Sequence, residues 1–141
     1  MSPKMAKLRH IAMVAEDMDK TASFYEKSFG MKRVRETETA IGLTDGYMSM
    51  VIIHPTNINM KAGTKLGLHH IGFLIDDMDK TAATVEANGA SYHGGILGSG
   101  TGPKGERKYL DPNGLMFDVT VAKHARSVWL IPVDETQESV A

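Results

Sequence analysis

The feature that most constrains this 141-residue chain is an internal repeat. Shifting the sequence by 60 places lays LRHIAMVAEDMDKTAS, Leu8 to Ser23, over LHHIGFLIDDMDKTAA, Leu68 to Ala83. Nine of the sixteen positions are identical: Leu8/68, His10/70, Ile11/71, Asp17/77, Met18/78, Asp19/79, Lys20/80, Thr21/81 and Ala22/82. A match this dense in one ungapped window marks a duplicated supersecondary unit. Two copies are too few for a long solenoid, so the halves should face each other and complete one core.

Within each copy the opening segment, Leu8 to Ala15 or Leu68 to Ile75, is short, apolar and followed by acids, which predicts a buried strand. Asp17 or Asp77 then caps a helix over Met18–Ser28 or Met78–Asn88, with Phe24 or Val85 inward and Gly30 or Gly89 as the stop. Short β-type stretches follow at Lys32–Glu36, Thr39–Thr44 and Tyr47–His54, then at Ser91–His93, Arg107–Leu110 and Leu115–Ala122. Turns at Asp45-Gly46 and Asn113-Gly114 introduce the last strand of each copy. Each unit reads β-α-β-β-β. The fold class expected is therefore α+β, with two tandem βαβββ modules, about 6–56 and 66–122, forming an open, cupped mixed sheet in one domain over 1–124.

The glycine-rich run from Gly94 to Gly105 should be a loop, serving either as a lid or as a long hairpin connection. Residues 125–141 read as an extension. Its Val128–Ile131 stretch, with Trp129, should pack on the domain or on a second subunit, and the chain beyond Pro132 should be disordered.

Composition narrows the function. With 42% hydrophobic and 23% charged residues the chain is an ordinary globular one, without the length of apolar sequence that a membrane span needs. A formal charge of -1 gives no field to attract nucleic acid, so a small molecule is the expected partner. The absence of cysteine leaves His, Asp and Glu as ligands for any metal. The N-terminal apolar run, Ile11 to Ala15, is too short for a signal sequence, and a cytoplasmic location is expected.

His10 and His70 hold the same place in the two opening strands, so a pseudo-twofold axis would aim both into one cleft. Period-2 alternation puts His10 with Ala12 and Val14, and His70 with Gly72 and Leu74, while His69 falls on the opposite face. The small neighbours leave room for a ligand. Asp118, in the apolar strand of YLDPNGLMFDVTV, is the carboxylate expected to join them, since an unpartnered buried acid is costly. Aligning Gly46 with Gly114 pairs Met50 with Asp118. That gives a two-His, one-carboxylate site with open positions, suited to Fe(II), with Mn(II), Zn(II) or Co(II) as competitors. His54, about 13 Å beyond Met50, reads as a substrate group or as a structural strand end.

These residues resemble the vicinal oxygen chelate superfamily: glyoxalases, extradiol dioxygenases, fosfomycin-resistance thiol transferases, methylmalonyl-CoA epimerases and bleomycin-binding proteins. The resemblance rests on the paired openings LRHIAMVAEDMDKTASFYEKSFGM and LHHIGFLIDDMDKTAATVEANGA and on YLDPNGLMFDV. It implies that His10, His70 and Asp118 are metal ligands, with Asp where the family usually has Glu, and that Met50 stands where isomerases and lyases of the family place a fourth ligand or base. It makes His54 and Tyr109 the nearest candidates for catalytic groups.

The resulting expectation is an Fe(II) extradiol-type dioxygenase acting as a homodimer. The alternatives are a glyoxalase-like lyase or isomerase, on Zn(II) or Ni(II), and a thiol transferase in which Lys104, Arg107 and Lys108 cradle a phosphonate. A metal-free drug- or metabolite-binding protein is the alternative from outside enzymology.

Overall fold

A computed structural model describes residues 6–57, 65–93 and 105–133. The first module comprises β1 (Lys7–Val14), α1 (Met18–Phe29), β2 (Lys32–Glu36), β3 (Ala40–Thr44) and β4 (Ser49–Ile53). The second repeats it as β5 (Gly67–Leu74), α2 (Met78–Ala87), β6 (Ser91–Tyr92), β7 (Glu106–Leu110) and β8 (Met116–Thr120). A one-turn helix α3 (Ala122–His124) and a π-helical turn, Ala125–Trp129, complete the described chain. The expected loop from 94 to 104, including Lys104, and the tail after Val133 lie outside the described residues. No helix among those described is long and apolar enough to cross a membrane.

The helix starts follow from the repeated Asp. Asp17 and Asp77 each accept a hydrogen bond at 3.0 Å, from the backbone N–H of Lys20 and of Lys80, a cap worth about 1 kcal/mol. Gly30 ends α1 in the left-handed region at φ 72°, where a side chain would be strained. Phe24 departs from expectation. It is 56% exposed and packs edge-on against Tyr25 and Phe29, leaving Ala22 as the residue of α1 buried against the sheet.

All eight strands form one mixed sheet in the order β2-β3-β4-β1-β5-β8-β7-β6. The modules join edge to edge along the antiparallel pair β1·β5, where Ile11 faces Ile71, His10 faces Gly72 and Ala12 faces His70. The pseudo-twofold axis therefore passes through the Ile11/Ile71 pair. Each half of this seam carries a β-bulge, at Arg9 and at its repeat equivalent His69, and a bulge turns two successive side chains toward the same side.

Both helices cover the same face. Ala22 packs with Ile41, Leu43 and Ile52, and Ala82 with Ile75, Tyr109 and Val119. The opposite face carries His10, Ser49, His70, Lys108, Asp118 and Thr120, all buried. It is covered instead by the C-terminal strap, whose Trp129 and Ile131 pack with Leu74 and Ala125. A sheet face this rich in buried polar groups departs from what a purely structural core would select.

Candidate metal centre

The strap-covered face gathers His10, His70 and Asp118 at its middle, one ligand atom of each lying within 4.8 Å of the others. His10 Nε2 is 3.3 Å from His70 Nε2, and Asp118 Oδ2 is 3.2 Å from His70 Nε2 and 3.9 Å from His10 Nε2. A tetrahedral ion with bonds of about 2.0–2.1 Å sets its donors about 3.3 Å apart, so these edges match a metal's first shell. Asp118 Oδ2 has no hydrogen-bond partner although it is fully buried. A carboxylate oxygen left so carries a heavy desolvation cost unless a cation meets it. The donor set thus fits a divalent ion.

The outward ring nitrogens are fixed. His10 Nδ1 lies 2.8 Å from Ser49 Oγ, and His70 Nδ1 lies 2.7 Å from His69 Nδ1. Each contact leaves Nε2 facing the centre, as a ligand imidazole requires. Burial, and next the neighbouring His70, holds His10 well below the ordinary imidazole range; burial, then Lys108 and His69, does the same for His70. Glu106 opposes the shift at both without reversing it. Both rings are therefore neutral near pH 7, the state in which imidazole binds metal.

Around this triad sit residues that the sequence did not place at it. The indole of Trp129 stacks on the His10 ring, centroids 4.5 Å apart and planes 7° from parallel. Gly72 makes this approach feasible, because a Cβ there would come within 2.9 Å of the indole. Buried Arg9 ties the strap down by donating to the Pro132 carbonyl at 2.7 Å, while its guanidinium stacks 3.8 Å over Tyr47. Arg35 donates to the Val128 carbonyl at 3.3 Å. Glu106 approaches Lys108 Nζ and His124 Nε2, each at 3.6 Å. The small residue opposite each seam histidine was the one visible signal of such close packing.

Several expected positions are corrected. His69 does not turn away from His70: the bulge brings the rings to a 4.9 Å centroid separation. Met50 is on the helix face, packed with the Ile41 and Leu43 cluster. The reason is a register difference. His10 pairs with Ser49 and Ala12 with Val51, as His70 pairs with Met116 and Gly72 with Asp118, so Val51 is the counterpart of Asp118. Glycine is the wrong anchor for the turns: Asp45 accepts from the backbone N–H of Tyr47 and Met48, whereas Asp111 accepts from those of Asn113 and Leu115, so the second turn carries one residue more between its Asp and the strand.

Tyr109 is also on the helix face, stacked on Phe117, with its hydroxyl 3.4 Å from Glu86. Arg107 is on that face too, reaching Asp79 at 3.4 Å. Of the two described cations in that expected group, Arg107 and Lys108, it is Lys108 that reaches the triad, in an ion pair with Asp118 Oδ1. His54 follows β4 and bonds Thr56 Oγ1 at 2.7 Å. Because His10 is level with Ser49, His54 is five residues, roughly 16 Å, further along the strand.

Comparison with known proteins agrees with this fold. The family model described as Glyoxalase/Bleomycin resistance protein/Dioxygenase superfamily matches residues 7–119. Among solved structures, a hypothetical protein, BH1468 from Bacillus halodurans C-125, is 17% identical with a TM-score of 0.60, over 84% of this chain and 95% of that one. A methylmalonyl-CoA epimerase is 19% identical with a TM-score of 0.56, over 81% and 93%. A mutant 4-hydroxymandelate synthase from Streptomyces coelicolor is 18% identical with a TM-score of 0.61, over 82% of this chain and 48% of that one. At these identities the likeness concerns the fold. No curated protein sequence matches the chain.

Proposed function

Because the chain belongs to the Glyoxalase/Bleomycin resistance protein/Dioxygenase superfamily, we propose that it is a metal-dependent enzyme whose His10, His70 and Asp118 hold one divalent ion facing a small substrate with two adjacent oxygens. The observation that carries this is the buried, unpartnered Oδ2 of Asp118 beside two inward Nε2 atoms. Val51, with no ligating atom, stands where the pseudo-symmetry would place a fourth ligand. This three-donor set leaves open positions and favours Fe(II) and extradiol-type dioxygenation. A bound ferrous ion would supply the charge that attracts adjacent oxygens and the redox chemistry of O₂.

The chain's own contribution is orientation and exclusion of water. Ser49 and His69 set the ring orientations, and Trp129, stacked on His10, screens that side of the site from water. The reading carries with it a cytoplasmic homodimer, and the exposed Phe24 and Phe29 on α1 support a partner copy. The test is metal analysis of protein purified without added metal, followed by oxygen uptake with a panel of catechols. Iron at one per chain, with uptake lost on chelation and restored by Fe(II), is expected. Zinc or nickel without oxygen uptake would contradict it.

A glyoxalase-like isomerase or lyase is the second reading, favoured by one observation. Glu106 lies on the triad's face beside Lys108 and provides a proton acceptor that position 50 does not. Proton exchange from a 2-hydroxy ketone into solvent, lost in Glu106→Gln, would select it. The thiol-transferase reading loses one of its three expected cations, since Arg107 is on the far face.

A further inference from the structure

Lys108 is a buried ammonium that the dioxygenase reading does not use. It stands directly across from Asp118 in the β7·β8 register, so both side chains leave the sheet on the triad's side. Lys108 is 3% exposed and Asp118 is 1% exposed. The two oxygens of Asp118 have different partners: Oδ1 is paired with Lys108 Nζ, whereas Oδ2 is bare and faces the two histidines. On the other flank of Asp118, in the β5·β8 register, stands Gly72, which has no side chain to compete for either oxygen. Glu106 Oε2, 3.6 Å from Nζ, is a second anion near the ammonium.

We propose that Lys108 is a positioning residue that holds Asp118 to a single metal-facing oxygen and so keeps open one more coordination position than a two-oxygen grip would allow. This rests on the reading of the triad as a metal centre. A carboxylate can bind an ion through one oxygen or through both, and the second mode consumes a position that a chelating substrate needs. A buried ammonium on Oδ1 opposes the second mode twice: it occupies the lone pairs, and it repels a cation drawn toward that oxygen. The Lys108 cation also offsets the Asp118 charge, so the site holds its ion less tightly than an unpaired Asp would.

The test is the infrared difference spectrum between Zn(II)-loaded and metal-free protein. A carboxylate bound through one oxygen shows widely separated antisymmetric and symmetric stretches, and one bound through both shows them close together. Wild type should give the wide separation, Lys108→Met the narrow one, and Lys108→Gln, which keeps an N–H donor, the wide one again. Lys108→Met should also bind acetohydroxamate, a two-oxygen chelator, at least tenfold more weakly in its Co(II) form while holding Co(II) as tightly or more so.

A purely structural role would lower stability in both variants and leave the separation wide in both, which would overturn the assignment. A narrow separation in wild type would overturn it as well, and that spectrum decides alone should the methionine variant fail to fold. Wild type that takes up no Zn(II) or Co(II) would sink the metal reading and this inference together; uptake with a narrow separation sinks only this one.

Discussion

Ser49 and His69 do the same work for the two seam histidines: each occupies an Nδ1 and thereby commits the ring to present Nε2. The cost of the arrangement is two imidazoles buried without charge, and its sign can be worked out. An unfolded chain binds protons on these rings at about 6.5, whereas burial depresses both in the fold. Between those values the unfolded state takes up more protons, so stability is full above about pH 6.5 and falls as pH drops below it. Urea unfolding of chelator-stripped protein between pH 7.5 and 5 should show a midpoint that falls below 6.5; a midpoint flat across that range would mean that the rings are not buried neutral. His10, His70 and Asp118 could be named from sequence because the repeat and an acid in an apolar strand are local signals. The parts played by Ser49 and His69, the pairing of Lys108 with Asp118 and the stacking of Trp129 on His10 could not be read there, because they depend on register and on two bulges that leave no mark in composition.

The bulges, the turns and the strap decide what each element delivers. The turn after Asp111 is one residue longer than the turn after Asp45, which shifts β8 against β4 and puts Val51 rather than Met50 in line with Asp118. Val51→Glu should therefore tighten metal binding in chelator competition and Met50→Glu should leave it unchanged; the reverse order would show the register to be wrong. The strap is held by Arg9, Arg35 and the stacked Trp129, and Leu130 sits at φ 55°, a left-handed conformation that a leucine adopts with strain. Trp129 is the chain's one tryptophan, so its emission reports on the strap alone. In Gly72→Ala the new methyl meets the indole and the His10 Cβ at about 3 Å, which should cost about 1–3 kcal/mol and move the emission to the red. Unchanged emission and melting temperature would show that the indole does not lie on the seam.

At the scale of the molecule, the duplication makes the site. Two modules joined along β1·β5 bring residues 60 apart in sequence to a ring-nitrogen separation of 3.3 Å, across an axis at Ile11/Ile71. That much was legible, since equivalent positions in a symmetric pair must converge. The order of the strands, the helices on one face and the placement of Tyr109 on the other side from the triad depend on which strands become neighbours, and hydrophobic alternation alone leaves that choice open. The strap lies beyond the stretch matched by the family model, yet it completes the cover over the triad. The central claim, that His10, His70 and Asp118 hold one metal ion per chain, is met most directly by calorimetric titration of stripped protein with Zn(II), wild type beside Asp118→Ala. One ion per wild-type chain, with affinity reduced on the order of 100-fold or more in Asp118→Ala, is the predicted result; equal affinity and stoichiometry in the two proteins would contradict the account.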